Sequence, residues 1–258
     1  MKLPLATILI ASGIASGIVA TAVFAGPADS ARVPVLLELF TSEGCSSCPP
    51  ADRVLEALDR QPVANADLIV LSEHVDYWNY LGWSDPYSSS FFSERQHKYS
   101  DRLTATVYTP QLVIDGQFQV VGSDRKEVMQ GIARASLKTK LPLSIHAVRS
   151  GNAGSAHVEA NSGGANADLY IVIAADYARS QVLRGENSGH TLSHVAVVRS
   201  ITKIGKWEGS TAIARDVPIS SKQLPASILA GQPGEIRVIA ILQDPQTGRI
   251  LAAAQTRI

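Results

Sequence analysis

Pro34-Val35-Leu36-Leu37-Glu38-Leu39-Phe40 is a mostly apolar run that ends in the polar turn Thr41-Ser42-Glu43-Gly44. A short apolar run bounded by a turn reads as a buried strand. Ala51, Val54, Leu55 and Leu58 then recur at helical spacing through Ala51–Arg60, with Asp52 in the first turn and Glu56 and Arg60 four apart. Pro49 and Pro50 suit a helix start, where backbone amides have no intrahelical partner. A residue before a proline is pushed out of the α region, so regular helix is expected from about Pro50. Leu68-Ile69-Val70-Leu71 reads as a second buried strand, completing a strand–helix–strand unit.

The segment from Glu73 to about 103 breaks this rhythm. Glu73–Pro86 is turn-rich and carries Tyr77, Trp78, Tyr80 and Trp83. Ser88–Leu103 reads as a helix packing through Phe91, Phe92 and Tyr99, and the whole as an insertion over the end of the second strand. Gln111–Ile114, closed by Asp115-Gly116, reads as a strand entering a tight hairpin, with Gln117–Val121 as its return. Ser123 is the expected N-cap of a helix over Asp124–Lys140 carrying Val128, Met129, Ile132 and Leu137. Residues 33–140 are thus read as one domain. From Leu141 the pattern turns to short strands and turns: Leu143–Arg149, Ala156–Ala160, Leu169–Ala174, Thr211–Val217, and Ile236–Leu242 paired with Ile250–Gln255. Residues 141–258 are read as a second, β-rich, sandwich-like domain.

Composition changes little in this picture. The chain has 258 residues, 45% hydrophobic and 18% charged, with a formal net charge of zero and no basic block. It lacks the electrostatic footprint of a nucleic-acid binder, and no nucleic acid is expected as partner. The N-terminus changes the picture more. Lys2 precedes a nearly unbroken apolar or small run from Leu3 to Phe24, and Val23-Phe24-Ala25 fits a small-x-small cleavage site. Residues 1–25 are read as a signal peptide, with an uncleaved anchor as the alternative. The expected location is periplasmic or secreted, with no stable membrane insertion after cleavage.

Cys45 and Cys48 are the only cysteines. In an oxidising compartment a disulfide persists, but one closing so short a loop does little as a staple. A C-x-x-C at the first turn of a strand–helix–strand unit reads as a redox motif, and a structural zinc site would need two further ligands. A redox pair, an inert disulfide and a metal-binding pair all remain open, and no cofactor is expected. A helix N-terminus favours a thiolate through its free amides and dipole, and the Ser46 and Ser47 hydroxyls can add hydrogen bonds. His74 and Asp76 follow the second strand, at the end of the sheet where ligands gather. They are placed to tune Cys45 or to bind copper with the thiolates, with structural hydrogen bonding as the alternative. Trp78 and Trp83 read as packing residues, with a binding surface as the alternative. His190 and His194, four apart, are a metal pair without a third ligand. Arg184 and Glu186 read as a structural ion pair or a domain contact.

Gly44-Cys45-Ser46-Ser47-Cys48 after a strand, with Thr109-Pro110 before the third strand, resembles the thioredoxin fold. More narrowly, Leu39–Asp52, His74-Val75-Asp76-Tyr77-Trp78 and Tyr108-Thr109-Pro110-Gln111 resemble a family of secreted bacterial thioredoxin-like proteins known only as a domain of unknown function. The resemblance spans roughly residues 33–258. It implies an α/β thioredoxin-like domain followed by the β-rich domain. It implies a cis Pro110 facing the cysteine pair, Cys45 as exposed nucleophile and Cys48 as resolving thiol. The expected activity is thiol–disulfide exchange on protein thiols or disulfides; the alternative is a non-enzymatic metal chaperone or protein-interaction scaffold. Glycine before Cys45, where thioredoxins carry an aromatic, and the acidic Glu43 depart from thioredoxins.

Overall fold

The computed structural model describes residues 32–220, 222–224 and 236–258. The expected signal peptide at 1–25 lies outside them. The first apolar run forms strand β1 (Val33–Thr41), followed by helix α1 (Pro49–Arg60) and strand β2 (Ala66–His74). β1 and β2 pair in parallel, Leu37 facing Val70. Such pairing buries both faces, which accounts for the near-continuous apolar sequence. A single turn of tighter helix at Asn79–Leu81 and helix α2 (Ser90–Leu103) make up the insertion. Strands β3 (Gln111–Ile114) and β4 (Phe118–Val121) form the expected hairpin, and helix α3 (Arg125–Ser136) follows. The cap of α3 is Asp124, whose side chain accepts the Glu127 amide at 3.0 Å, one residue beyond the expected Ser123. The helix also stops four residues short of Lys140.

The second half forms β5 (Leu143–Ser150), β6 (Ala153–Ala160), β7 (Ala167–Gln181), β8 (Thr191–Trp207), β9 (Ile213–Ile219), β10 (Ile236–Gln243) and β11 (Ile250–Arg257). β7 and β8 are 15 and 17 residues long. β8 is absent from the sequence expectation, and β7 runs well past its expected end at Ala174.

These strands overturn the expected fold class. Along residues 33–136 the elements keep the expected order, but they do not stand as an α/β thioredoxin-like domain followed by a separate sandwich. The described residues are mostly β, 46% strand and 19% helix, with a large mixed sheet of eight strands. Its order is β11-β10-β7-β8-β2-β1-β3-β4. β8 docks parallel to β2 at Ser72 and Val197 and pairs antiparallel with β7 along its other edge. The physical cause is the apolar centre of β8. Val195 and Ala196 are buried with Leu55, Leu58 and Val70 in the core under α1, and Val198 with Leu36, Ile69 and Leu71 on the other face. β5, β6 and β9 form a separate three-stranded sheet that closes a second core with Leu169, Ile171, Val238 and Ala240.

Two turns also join the halves. Asp115 takes the Leu36 amide at 3.0 Å and Lys140 Nζ at 2.8 Å, and its own carbonyl accepts the Ile250 amide. Gly116, at φ +66, lies so close to Gly248 that an added Cβ would stand 2.0 Å from the Gly248 carbonyl oxygen.

Candidate functional site

The turn after β1 delivers Cys45 and Cys48 to the N-terminus of α1, where they are joined by a disulfide with Cα atoms 5.4 Å apart. The amides expected to be free there are not. Pro49 and Pro50 have none, and those of Ala51 and Asp52 both donate to the Cys48 carbonyl at 2.8 and 3.1 Å. Polarity reaches the sulfur from side chains instead. The Thr109 hydroxyl donates to Cys45 Sγ at 3.3 Å and itself accepts the indole N–H of Trp78 at 2.8 Å. Ser47 Oγ stands 3.3 Å from the same sulfur. The Thr109–Pro110 peptide is cis, and Pro110 is buried.

Ser46 and Ser47 are exposed, but both cysteines are wholly buried, so the sulfur that the resemblance made an exposed nucleophile is covered in this state. Gly44 permits the close approach of Trp78: an added Cβ would meet Trp78 Cβ at 3.1 Å. Trp78 and Trp83, expected to pack or to form a binding surface, both turn their N–H groups into the site.

Beneath the cysteines lies a buried polar cluster drawn from both halves. Glu43 Oε2 accepts the Trp83 indole at 2.8 Å, Glu43 Oε1 accepts the Ser180 hydroxyl, and His194 Nε2 lies 3.4 Å from Oε1. On its other side His194 Nδ1 stands 3.6 Å from Asp52, which also accepts the Thr41 hydroxyl. Burial opposes a charge on His194, but Asp52 and Glu43 outweigh it and raise the imidazole to about 10. These are ion-pair separations: neither ring nitrogen of His194 makes an aligned hydrogen bond.

His74 packs edge-on against His194, ring centres 4.6 Å apart, and shares Asp85 with the Glu43 amide. Burial pushes Asp85 upward, but His74 and the backbone amides of Glu43 and Tyr87 prevail and hold it below its ordinary value. Asp76 is not part of the cluster. It bonds Ser93 of α2 at 2.6 Å and stabilises the turn after β2.

The polar stretch before β8 closes the site from outside. Glu186 Oε2 accepts the Ser46 amide at 2.9 Å, and the Asn187 side-chain amide donates to the Glu43 and Cys45 carbonyls at 2.8 and 2.9 Å. Glu186 therefore bonds the cysteine loop rather than Arg184. His190 is exposed in the turn while His194 is buried in the strand, so the two do not converge. Among the described residues no group of three or more His, Cys, Asp or Glu side chains is arranged to hold a metal ion.

Sequence reasoning singled out the cysteines, Ser46, Ser47, Thr109, Pro110 and His74. It missed Asp52, Asp85, Ser180 and Asn187 as parts of the site, and it weighed His194 only as a ligand. The available signal for His194 was a histidine entering an apolar strand, Leu192-Ser193-His194-Val195-Ala196-Val197.

Among solved structures the chain is similar to an X-ray structure of a protein from Agrobacterium tumefaciens, 28% identical, covering 87% of this chain and 94% of that one with a TM-score of 0.63. It also shares its fold with HBP35 of Porphyromonas gingivalis, 13% identical, covering 88% of this chain and 76% of that one with a TM-score of 0.62. No curated protein matches it. The family described as a protein of unknown function (DUF1223) matches residues 36–230, and the chain belongs to that family.

Proposed function

We propose that the protein is an exported thiol–disulfide oxidoreductase acting on protein thiols or disulfides through Cys45 and Cys48. One observation carries this reading: the Thr109 hydroxyl, fixed by the Trp78 indole, aims its proton at Cys45 Sγ. A disulfide sulfur is a weak acceptor and gains little from such a donor. A thiolate gains much more, because hydrogen bonds to charged groups are about twice as strong as neutral ones. The site is thus built for the reduced form of Cys45 as well as for the oxidised pair. Thr109 and Ser47 both address Cys45, which supports it as the sulfur that exchanges with the partner, with Cys48 behind it at the helix cap.

In the exchange a partner thiolate attacks Cys45 Sγ, the Cys45–Cys48 bond breaks, and Cys48 leaves as a thiolate. The partner's second thiolate then attacks its own sulfur in the mixed disulfide and displaces Cys45. Two electrons pass to the cysteine pair, and the partner holds the disulfide. The same steps in reverse reduce a partner disulfide. Export rests on the apolar N-terminal run and its cleavage site.

The test is Cys48→Ser. Without the resolving sulfur, Cys45 should accumulate mixed disulfides with proteins of its compartment, released by dithiothreitol and absent from Cys45→Ser. No adducts, together with a reduction potential far below about −300 mV, would leave the pair as a structural bond.

A further inference from the structure

We infer that Glu186 and Asn187, at the tip of the β7–β8 hairpin, are positioning residues that clasp the Cys45–Cys48 loop shut, and that this clasp opens before a partner reaches Cys45 Sγ. The inference rests on the redox reading for its biological use but not for its test.

Thiol–disulfide exchange requires a nucleophile to reach a sulfur. Here both cysteines are wholly buried, so part of their covering has to move. The loop from Glu43 to Cys48 is held at two ends of unequal strength. Its inner end is anchored by the buried Glu43 side chain, bonded to Trp83 and Ser180, and by the Glu43 amide on Asp85. Its outer end is held by the hairpin tip. Asn187 directs both protons of its side-chain nitrogen at loop carbonyls, those of Glu43 and Cys45, and is only 7% exposed. Glu186 accepts the Ser46 amide from an exposed position.

The tip is built to move as a unit. The Val182 amide donates to the His190 carbonyl, that of Gly189 to Val182, and that of Ser188 to Gly185, so its backbone bonds close on themselves. Gly185 and Gly189 hold φ values of +79 and +83, available to glycine without a steric cost. Leu183, Arg184, Ser188 and Gly189 are exposed. A segment with few buried apolar contacts opens locally at a fraction of the cost of global unfolding. The inner anchors lie deep in the fold, so the clasp is the part of the covering that yields first.

The test follows the rate at which dithiothreitol reduces the oxidised, otherwise unaltered chain at fixed pH. Asn187→Ala should accelerate reduction about tenfold or more, the consequence of losing two buried hydrogen bonds. Glu186→Ala should accelerate it about threefold, and Glu186→Gln, which keeps an acceptor for the Ser46 amide, should stay near the parent rate. Rates through the open clasp should be nearly flat in low urea, whereas reduction through global unfolding rises steeply with it. Parent-like rates in both alanine variants, or accelerations that appear only as urea increases, would overturn the clasp. Should Asn187→Ala fail to fold, the exposed Glu186 pair carries the test alone. Dithiothreitol needs no protein partner, so these rates are independent of whether Cys48→Ser traps one.

Discussion

His194 Nε2 lies 3.4 Å from Glu43 Oε1, which ties strand β8 to the residue two before Cys45. Asp52, one helical turn after Cys48, stands on the other side of the same imidazole. A cation from the second half of the chain thereby stands between two buried carboxyl groups that flank the disulfide in the first half.

Removing that cation strands two buried acids. His194→Gln is expected to cost about 3–5 kcal/mol in denaturant unfolding, the range for breaking one side of a buried ion pair. Its pH dependence has a definite sign. The imidazole titrates at about 10 in the fold, above its unfolded value of roughly 6.5. Its stabilisation is complete below the unfolded value and is lost as pH rises toward 10. Unfolding at neutral and alkaline pH should show the parent losing stability over that window and the variant losing less. Parallel curves would separate His194 from the charge balance.

Thr109→Val keeps the shape of the residue and deletes the proton aimed at Cys45. In the reduced protein the thiolate loses a charge-assisted hydrogen bond, and alkylation of Cys45 at neutral pH should slow by about tenfold. Trp78→Phe leaves the hydroxyl free to turn away and should give a smaller effect in the same direction. An unchanged alkylation rate in Thr109→Val would remove the observation on which the redox reading stands.

A second buried network, under α2, makes opposite forecasts for two neighbours. Arg95 pairs with Glu38 and lies 3.7 Å from Glu73, and the Tyr99 hydroxyl donates to Glu38. Burial and the adjacent Glu38 push Glu73 well above the usual carboxylate range. Such a group adds stability at low pH and loses it as pH rises, because the fold disfavours its charged form. Glu73→Gln should therefore change stability by no more than about 1 kcal/mol, while Arg95→Met, which leaves Glu38 unpaired, should cost about 3–5 kcal/mol. Equal losses in the two variants, measured by urea unfolding, would contradict this division.

Gly116→Ala should be strongly destabilising. Its positive φ costs an L-residue roughly 1–2 kcal/mol, and the added methyl would overlap the Gly248 carbonyl oxygen, 2.0 Å away. Gly82 also has a positive φ, +98, but nothing lies near its added Cβ. Gly82→Ala should therefore show only the backbone cost in a thermal melt.

The sequence made local structure visible where one face or both were apolar. β1, α1 and β2 stand near their expected positions because Leu36–Phe40, Leu55–Leu58 and Leu68–Leu71 carry the pattern of their burial. β8 was hidden for a physical reason: only Val195–Val198 is a continuous apolar run, and the flanks extend past the sheet core with half-exposed and polar residues. Without β8 the two halves read as separate domains. The site was legible only where its residues sit beside the cysteines or follow a strand end. Asn187 lies in residues 184–194, the most polar and specific-looking stretch of the second half, but its bonds to Glu43 and Cys45 depend on a pairing that no local pattern records.

The hairpin tip also sets a schedule. Asn187 follows Cys45 by 142 residues, and Glu186 follows Ser46 by 140. A chain made from its N-terminus presents both cysteines, and completes β1, α1 and β2, well before the hairpin exists. The sulfurs are open to whatever oxidant or reductant meets the growing chain, and the loop that carries them gains its bonds to Glu186 and Asn187 only once the β7–β8 hairpin has formed. The finished molecule therefore starts from the redox state its cysteines held when the late strands arrived, and changes it only through an open clasp.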